Sequence, residues 1–81
     1  MQTFIATFYS HFGAIRFKKT VPAEFIGLQL MPVPRDLSSS CGTCVRFQTT
    51  EESVRSWQLS DETEKIVRVT ETGYIIVSEN V

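Results

Sequence analysis

Residues 3–9 constrain the fold more than any other part of this 81-residue chain. They read Thr-Phe-Ile-Ala-Thr-Phe-Tyr, so β-branched and aromatic side chains occupy both sets of alternating positions. Because successive residues of a strand point to opposite faces of a sheet, this segment is predicted to be a strand buried on both faces. A chain of this length forms one domain, here residues 1–81, with a small core.

The segments after this strand alternate between helix and strand patterns. Ser10 is predicted to cap a helix that Pro22 ends, because proline disfavours helical geometry in the residue before it. Thr49 and Glu52 have the spacing of a capping box for a second helix. The predicted elements are a helix over 11–20, strands over 26–31 and 43–48, a helix from about residue 50, a strand over 66–70, and a fifth strand or edge tail over 74–78.

The order strand-helix-strand-strand-helix-strand predicts the fold class. It is the α+β, ferredoxin-like βαββαβ pattern, in which two helices cover one face of an antiparallel sheet. The side chains predicted to point inward are Phe12, Ile15 and the stem of Lys19 in the first helix, Ile26, Leu28 and Leu30 in the second strand, Val45 and Phe47 in the third, and Val54 and Trp57 in the second helix.

Charge and hydropathy exclude two classes of function. The net charge is -1, from eight lysines plus arginines against nine acidic residues, whereas nucleic-acid-binding domains carry a basic excess. The longest apolar run, residues 4–9, is too short to span a membrane or to act as an export signal. The expected location is the cytoplasm, where thiols stay reduced.

Both cysteines lie in one segment, at the end of a loop. Pro32 and Pro34 stop the second strand, because neither can donate a hydrogen bond to a sheet. Residues 35–42 then form a loop that contains an arginine, three consecutive serines and a glycine. Cys41 and Cys44 are separated by two residues, which is the spacing of thiol-disulfide centres and of half a zinc site.

The loop composition predicts that Cys41 is a partly exposed, activated thiol. A cation and hydrogen-bond donors favour the thiolate, which is the nucleophilic form. The candidate stabilising residues are Arg35, Ser38, Ser39, Ser40 and Gly42, the glycine because it allows loop amides to form an anion-binding nest.

Two questions about the cysteines remain open from the sequence. Residues three apart in an extended segment point to opposite faces, so Cys41 and Cys44 meet only if Gly42 and Thr43 form a turn. The alternative is a purely structural role, in which both cysteines are small apolar residues that fill space near the start of a strand, and the serines are there because serine is common in loops.

The chain lacks the residues that a structural metal site or a hydrolase active site would need. Structural zinc needs four ligands, and the chain has two cysteines and one histidine, His11, so no metal or cofactor is expected. A cysteine or serine hydrolase would need His11 as its base and a substrate pocket that a domain of this size does not enclose.

The loop resembles a known family. Residues 32–35, Pro-Val-Pro-Arg, and residues 37–42, Leu-Ser-Ser-Ser-Cys-Gly, are similar to the signature of the small bacterial selenium/sulfur carrier-like proteins. Ala14 and Ile15 of the first helix, and residues 45–47, resemble it too, and the likeness extends from residue 4 to about residue 74. It implies a compact α+β domain in which Cys41 is the candidate carrier residue.

Two functions follow as hypotheses. In the first, Cys41 accepts sulfur or selenium from a donor protein as a persulfide or selenopersulfide and passes it to an acceptor, and Cys44 resolves the adduct. The protein would then be a covalent carrier rather than an enzyme with turnover. In the second, it is a non-catalytic interaction module or homodimer that uses the open sheet face, with Tyr9, Gln29, Met31, Arg46 and Arg68 exposed there.

Overall fold

The computed structural model describes residues 1–80 as one five-stranded sheet with two helices. In chain order the elements are β1 (Gln2–Phe8), α1 (His11–Thr20), β2 (Ile26–Pro32), β3 (Thr43–Thr49), α2 (Glu51–Ser56), β4 (Thr63–Val69) and β5 (Tyr74–Glu79). The strand order is β2-β3-β1-β4-β5, and all neighbouring strands are antiparallel. Neither helix in this part of the chain has the length and hydropathy to cross a membrane.

The predicted α+β class with an antiparallel sheet and two helices is confirmed. The segment left open as a strand or a tail is a strand, β5, which pairs with β4. The sheet therefore has one strand more than the four of the ferredoxin-like pattern. Asn80 follows β5 and binds back to β4: its amide N–H donates to the carbonyl of Glu64 at 3.0 Å, and its side-chain amide donates to the carbonyl of Thr63 at 3.3 Å.

The central strand β1 is buried on both faces, as predicted. All five residues from Phe4 to Phe8 are at most 3% exposed. Phe4, Ala6 and Phe8 pack in the larger of two apolar clusters, and Ile5 packs in the smaller one on the opposite face. A strand between two covered faces explains why the sequence of β1 lacks the apolar-polar alternation of a half-exposed strand.

The larger cluster, called the main core below, lies between the sheet and both helices. Phe17 of α1 and Val54 of α2 pack in it together with Phe47 of β3. The two helices therefore cover the same face of the sheet. Phe25 stacks on Phe47 with ring centroids 4.9 Å apart and planes inclined by 3°.

The inner face of α1 differs from the prediction. Ser10 caps the helix as expected, accepting a hydrogen bond from the Gly13 amide at 3.3 Å, but Phe12 is 70% exposed. The buried residues are Gly13, Ala14 and Phe17. Each residue turns the helix by about 100°, so residue 12 lies about 140° from residue 17 and cannot share its face. Two small residues let the helix axis approach the sheet.

Gly13 is the position at which α1 comes closest to the segment before β4. A Cβ at Gly13 would lie 2.9 Å from the Glu62 Cβ and 3.2 Å from the Glu62 carbonyl oxygen. Replacing Gly13 by alanine is expected to destabilise the protein by about 1–2 kcal/mol, because contacts with a Cβ and a backbone oxygen put the overpacking cost at about 2–3 kcal/mol, and helix propensity offsets about 1 kcal/mol of it.

The Gly13 prediction is measured by urea denaturation, with Gly42→Ala as the control. A Cβ at Gly42 meets no atom within 4 Å, so this variant should stay within about 0.5 kcal/mol of the wild type. A Gly13→Ala protein as stable as the wild type would show that helix and sheet can separate without cost.

The prediction that Ile26 and Leu30 of β2 point inward is wrong. Ile26 is 42% exposed and Leu30 is 36% exposed, and Leu28 is half-buried. The strand lies at the edge of the sheet, and its pairing with β3 shifts register between Ile26 and Gln29. Gly27 has a φ of +66° at this irregularity, which L-residues rarely adopt. The shift breaks the alternation on which the prediction depended.

The second helix is short, and its cap lies one residue later than predicted. Thr50, not Thr49, caps it by accepting a hydrogen bond from the Ser53 amide at 3.2 Å. The helix ends at Ser56, and Trp57 packs against the main core as a half-buried residue. Val54 points inward as expected.

The face opposite the helices is partly covered by the β2–β3 loop. Leu37 of this loop packs with Ile5, Cys44 and Val67 in the smaller cluster. Arg68 was predicted to lie on this face and does not. It is paired with Phe4, so it lies on the helix side, where its guanidinium donates to the Glu51 carboxylate of α2 at 3.1 Å.

Candidate thiol site

The β2–β3 loop, residues 33–42, folds back on itself and against the sheet. The Val33 amide donates to the Gly42 carbonyl at 3.1 Å, and the Leu37 amide donates to the Pro34 carbonyl at 3.1 Å. Because Leu37 is also buried against the sheet, the loop has a fixed position. Cys41 lies at the end of this loop, two residues before the first residue of β3.

Cys41 has a half-buried side chain that packs against the main core. Its thiol donates to the carbonyl of Thr43 at 3.4 Å, and its amide donates to the hydroxyl of Ser39 at 3.4 Å. The sulfur is thus held at the end of the loop, with part of the side chain open to solvent. This position suits a thiol that reacts with another protein.

Cys44 has the opposite environment. It is fully buried in the smaller cluster, and its thiol faces the carbonyl of Pro32 at 3.7 Å. Burial, and next the negative charge of a Cys41 thiolate, raise the pKa of Cys44 to about 11. The neutral thiol is therefore the form that the fold stabilises, and a neutral thiol is a poor nucleophile.

The two cysteines are free thiols that pack against clusters on opposite faces of the sheet. The sequence left open whether the two thiols meet, and in the structure they are not bonded to each other. The role of Cys44 as a resolving thiol stays a prediction. In the described conformation its burial and its raised pKa oppose that role.

Two of the predicted serine ligands, Ser38 and Ser40, contact β4 rather than the Cys41 sulfur, and Ser39 binds the Cys41 amide. Ser40 donates to the Glu64 carboxylate twice, through its amide at 3.1 Å and through its hydroxyl at 3.0 Å. Ser38 accepts a hydrogen bond from the Lys65 ammonium through its carbonyl, at 2.8 Å. These contacts fix the loop. Stabilisation of a thiolate or persulfide by the serines stays a prediction.

The Glu64 carboxylate is ionised at neutral pH. Burial acts to raise its pKa, but the amide and hydroxyl of Ser40, the charge of Lys65 and a hydrogen bond from Thr7 at 3.3 Å together hold the pKa below its ordinary value. A charged acceptor of this kind makes stronger hydrogen bonds than a neutral one.

Arg35 and Gly42 are exposed residues of the loop. No ion pair or hydrogen bond within residues 1–80 joins Arg35 to Cys41. The neighbouring Asp36 accepts a hydrogen bond from the Tyr74 hydroxyl at 2.9 Å, which ties the loop to β5. No contact among the described residues fixes the predicted role of the Arg35 guanidinium.

His11 lies beside the end of the β2–β3 loop. Its Nδ1 is 3.1 Å from the hydroxyl of Thr43, the residue whose carbonyl accepts the Cys41 thiol. The first turn of α1 therefore adjoins the end of the loop. Among the described residues, His11 and the cysteines belong to no group of three or more side chains arranged to hold a metal ion.

Comparison with known proteins agrees with the resemblance in the loop. The family model described as "Putative Se/S carrier protein-like" matches residues 3–73, and the chain belongs to this family. A protein of Escherichia coli (strain K12), described as "Uncharacterized protein YtiA", is 29% identical over 66 residues, which is 82% of this chain and 78% of the relative. No solved structure matches the chain significantly.

Proposed function

We propose that the protein carries sulfur or selenium covalently on Cys41, between a donor protein and an acceptor protein. The half-buried thiol of Cys41, at the end of a fixed loop, is the observation that carries this proposal. Membership of a family described as selenium/sulfur carrier-like supports it. Cys44 is a poor candidate for the same role because it is fully buried.

The transfer chemistry is an exchange between sulfur atoms. The Cys41 thiolate attacks the outer sulfur of a cysteine persulfide on the donor. A sulfur–sulfur bond forms to Cys41 as the bond inside the donor persulfide breaks, and the donor cysteine leaves as a thiolate. No external oxidant is needed, because the outer sulfur keeps its oxidation state. An acceptor thiolate repeats the same step on the loaded Cys41, and an outer selenium atom follows the same course.

Arg35 and the loop donors are proposed to stabilise the anionic outer atom. Arg35 is exposed and has no ion-pair partner within residues 1–80, so its guanidinium is available to a charged adduct. Ser38, Ser39, Ser40 and Gly42 lie in the same loop, but the two donors of Ser40 are bound to Glu64 and must exchange partners to contact the adduct.

An interaction module is the second candidate function. It is favoured by the free edge of the sheet at β5, where Ile75 is 48% exposed and Ile76 is 52% exposed. Unpaired backbone groups and aliphatic side chains on an edge strand can pair with another chain, including a second copy.

The carrier proposal is tested by loading the reduced protein with a cysteine desulfurase and cysteine. Peptide mass spectrometry should find an increase of about 32 Da, one sulfur atom, on Cys41, and the increase should disappear after treatment with a thiol reductant. Cys41→Ser should abolish loading, whereas Cys44→Ala should retain it. Failure to load Cys41 under conditions that load a known carrier would contradict the proposal.

The same variants separate the two candidate functions. Replacing both cysteines should leave association with a partner intact if the protein is an interaction module. A carrier with the same replacements loses all transfer.

A further inference from the structure

Two consecutive residues of β4 hold the β2–β3 loop by contacts on either side of Ser39. The Glu64 carboxylate accepts both donors of Ser40, and the Lys65 ammonium donates to the carbonyl of Ser38. Ser39 in turn accepts the amide of Cys41 through its hydroxyl. Every one of the three serines is thus engaged within the described structure, and the peptide that joins Ser39 to Ser40 is anchored directly to Glu64.

A bulge in the β1–β4 ladder makes this arrangement possible. Thr7 is paired with Lys65, whereas the next residue of β1, Phe8, is paired with Thr63. Glu64 is therefore the extra residue of β4. In a regular strand the side chains of Glu64 and Lys65 would point to opposite faces, but a bulge redirects one of them, and here both reach the same loop.

We propose that Glu64 is a positioning residue for Cys41: it fixes the loop through Ser40 and so presents the thiol in one orientation to a donor or acceptor protein. The inference rests on the proposed function in taking Cys41 as the reacting residue. Holding a reacting atom in one place lowers the entropic cost of a reaction with a second macromolecule. The same anchor limits access by small molecules, because it keeps the Cys41 side chain half-buried.

The rate of alkylation of Cys41 by iodoacetamide tests the proposal without any sulfur donor. Glu64→Ala should raise this rate at neutral pH by about tenfold or more, which corresponds to losing one hydrogen bond to a charged group. Glu64→Gln should bring the rate back toward that of the wild type, because the amide keeps most of the shape and an acceptor for the Ser40 amide. A rate for Glu64→Gln equal to that for Glu64→Ala would overturn the proposal, since it would assign the effect to charge alone.

Glu62→Gln is the matched control. It makes the same change of charge two residues away, but the Glu62 carboxylate pairs with Arg16 at 3.2 Å and not with the loop. Its alkylation rate should equal that of the wild type within about twofold. A Glu64→Ala rate in the same range as this control would also overturn the proposal.

Ser40→Ala examines the contact from the loop side. It removes the hydroxyl that donates to Glu64 and leaves β4 unchanged. If Glu64→Ala also exposes Cys44 to the reagent, the sheet has opened in that variant, and the result for Ser40→Ala is used instead. In Ser40→Ala, a faster rate at Cys41 with Cys44 still protected supports the anchor. An unchanged rate at Cys41 overturns it. The two substitutions should be non-additive in the double variant, because Glu64→Ala already removes the hydroxyl contact that Ser40→Ala removes.

The two proposals can fail independently. A carrier in which Glu64 has no positioning role loads sulfur normally while the alkylation rates stay the same. A positioned thiol that carries nothing shows the changes in alkylation and takes up no sulfur.

Discussion

Replacing Phe47 by alanine is expected to unfold a large fraction of the protein. Phe47 is fully buried and contacts three other phenylalanine rings, with centroids 4.9 Å away at Phe25, 5.4 Å at Phe17 and 5.7 Å at Phe4. Truncating such a side chain costs about 3–5 kcal/mol, and a domain of this length has a total stability of about 4–12 kcal/mol.

Trp57 reports the effect of the Phe47 substitution. It is the single tryptophan of the chain and lies with its ring centroid 5.2 Å from that of Phe17, so its fluorescence should follow the loss of the main core in urea. Phe12→Ala is the matched control, because Phe12 is 70% exposed and its removal should change stability by no more than about 0.5 kcal/mol. Equal losses from the two substitutions would contradict the described core.

Cys44 is expected to resist thiol reagents at neutral pH while the folded protein reacts at Cys41. Raising the pKa of Cys44 from 9.0 to about 11 lowers its thiolate fraction about a hundredfold, and complete burial blocks approach of the reagent as well. Iodoacetamide followed by peptide mass spectrometry should therefore label Cys41 in the native protein and both cysteines in urea. Labelling of Cys44 at a rate near that of Cys41 would contradict its described burial.

The raised pKa of Cys44 also predicts how stability depends on pH. The folded state holds the proton more tightly than the unfolded state, so this contribution to stability is complete below pH 9.0 and is lost as pH rises toward about 11. The loss approaches about 1.4 kcal/mol per pH unit within this window. Cys44→Ala should lose less stability there, as measured by urea denaturation at a series of alkaline pH values.

The parts of the fold that follow from local sequence were predictable. β1 was recognised because apolar residues at both parities require cover on both faces, and the structure supplies helices on one side and Leu37 on the other. Ser10 was recognised as a cap because its hydroxyl can accept a helix amide, which it does. Such features depend on residues a few positions apart.

The incorrect predictions concern residues whose exposure is set by distant parts of the chain. Phe12 looked like a core residue because it is aromatic, but the close approach of Gly13 to Glu62 fixes the rotation of the helix and leaves Phe12 outside. Ile26 looked like an inward residue because it alternates with Leu28, but β2 is an edge strand with a register shift. Neither effect is encoded within the segment itself.

The thiol site also combines features that depend on nearby residues with features that depend on distant parts of the chain. Spacing alone left the relative placement of Cys41 and Cys44 open, since the two could meet only if Gly42 and Thr43 formed a turn. The anchors Glu64 and Lys65 were missed, because they lie 24 and 27 residues from the serines that they bind and depend on a bulge opposite β1. The strand was predicted over 66–70, so both anchors lay outside it, whereas β4 begins at Thr63, and no local signal marks a bulge there.

The hydrogen bond from Asn80 to the backbone of Glu64 has a practical consequence for handling the protein. An affinity tag or fluorescent fusion attached just after Asn80 would act on Glu64, whose carboxylate holds Ser40, the residue before Cys41. A tag placed before Met1, which is 77% exposed, meets no such contact. Reactivity measured on proteins tagged at the two ends should therefore not be assumed to agree.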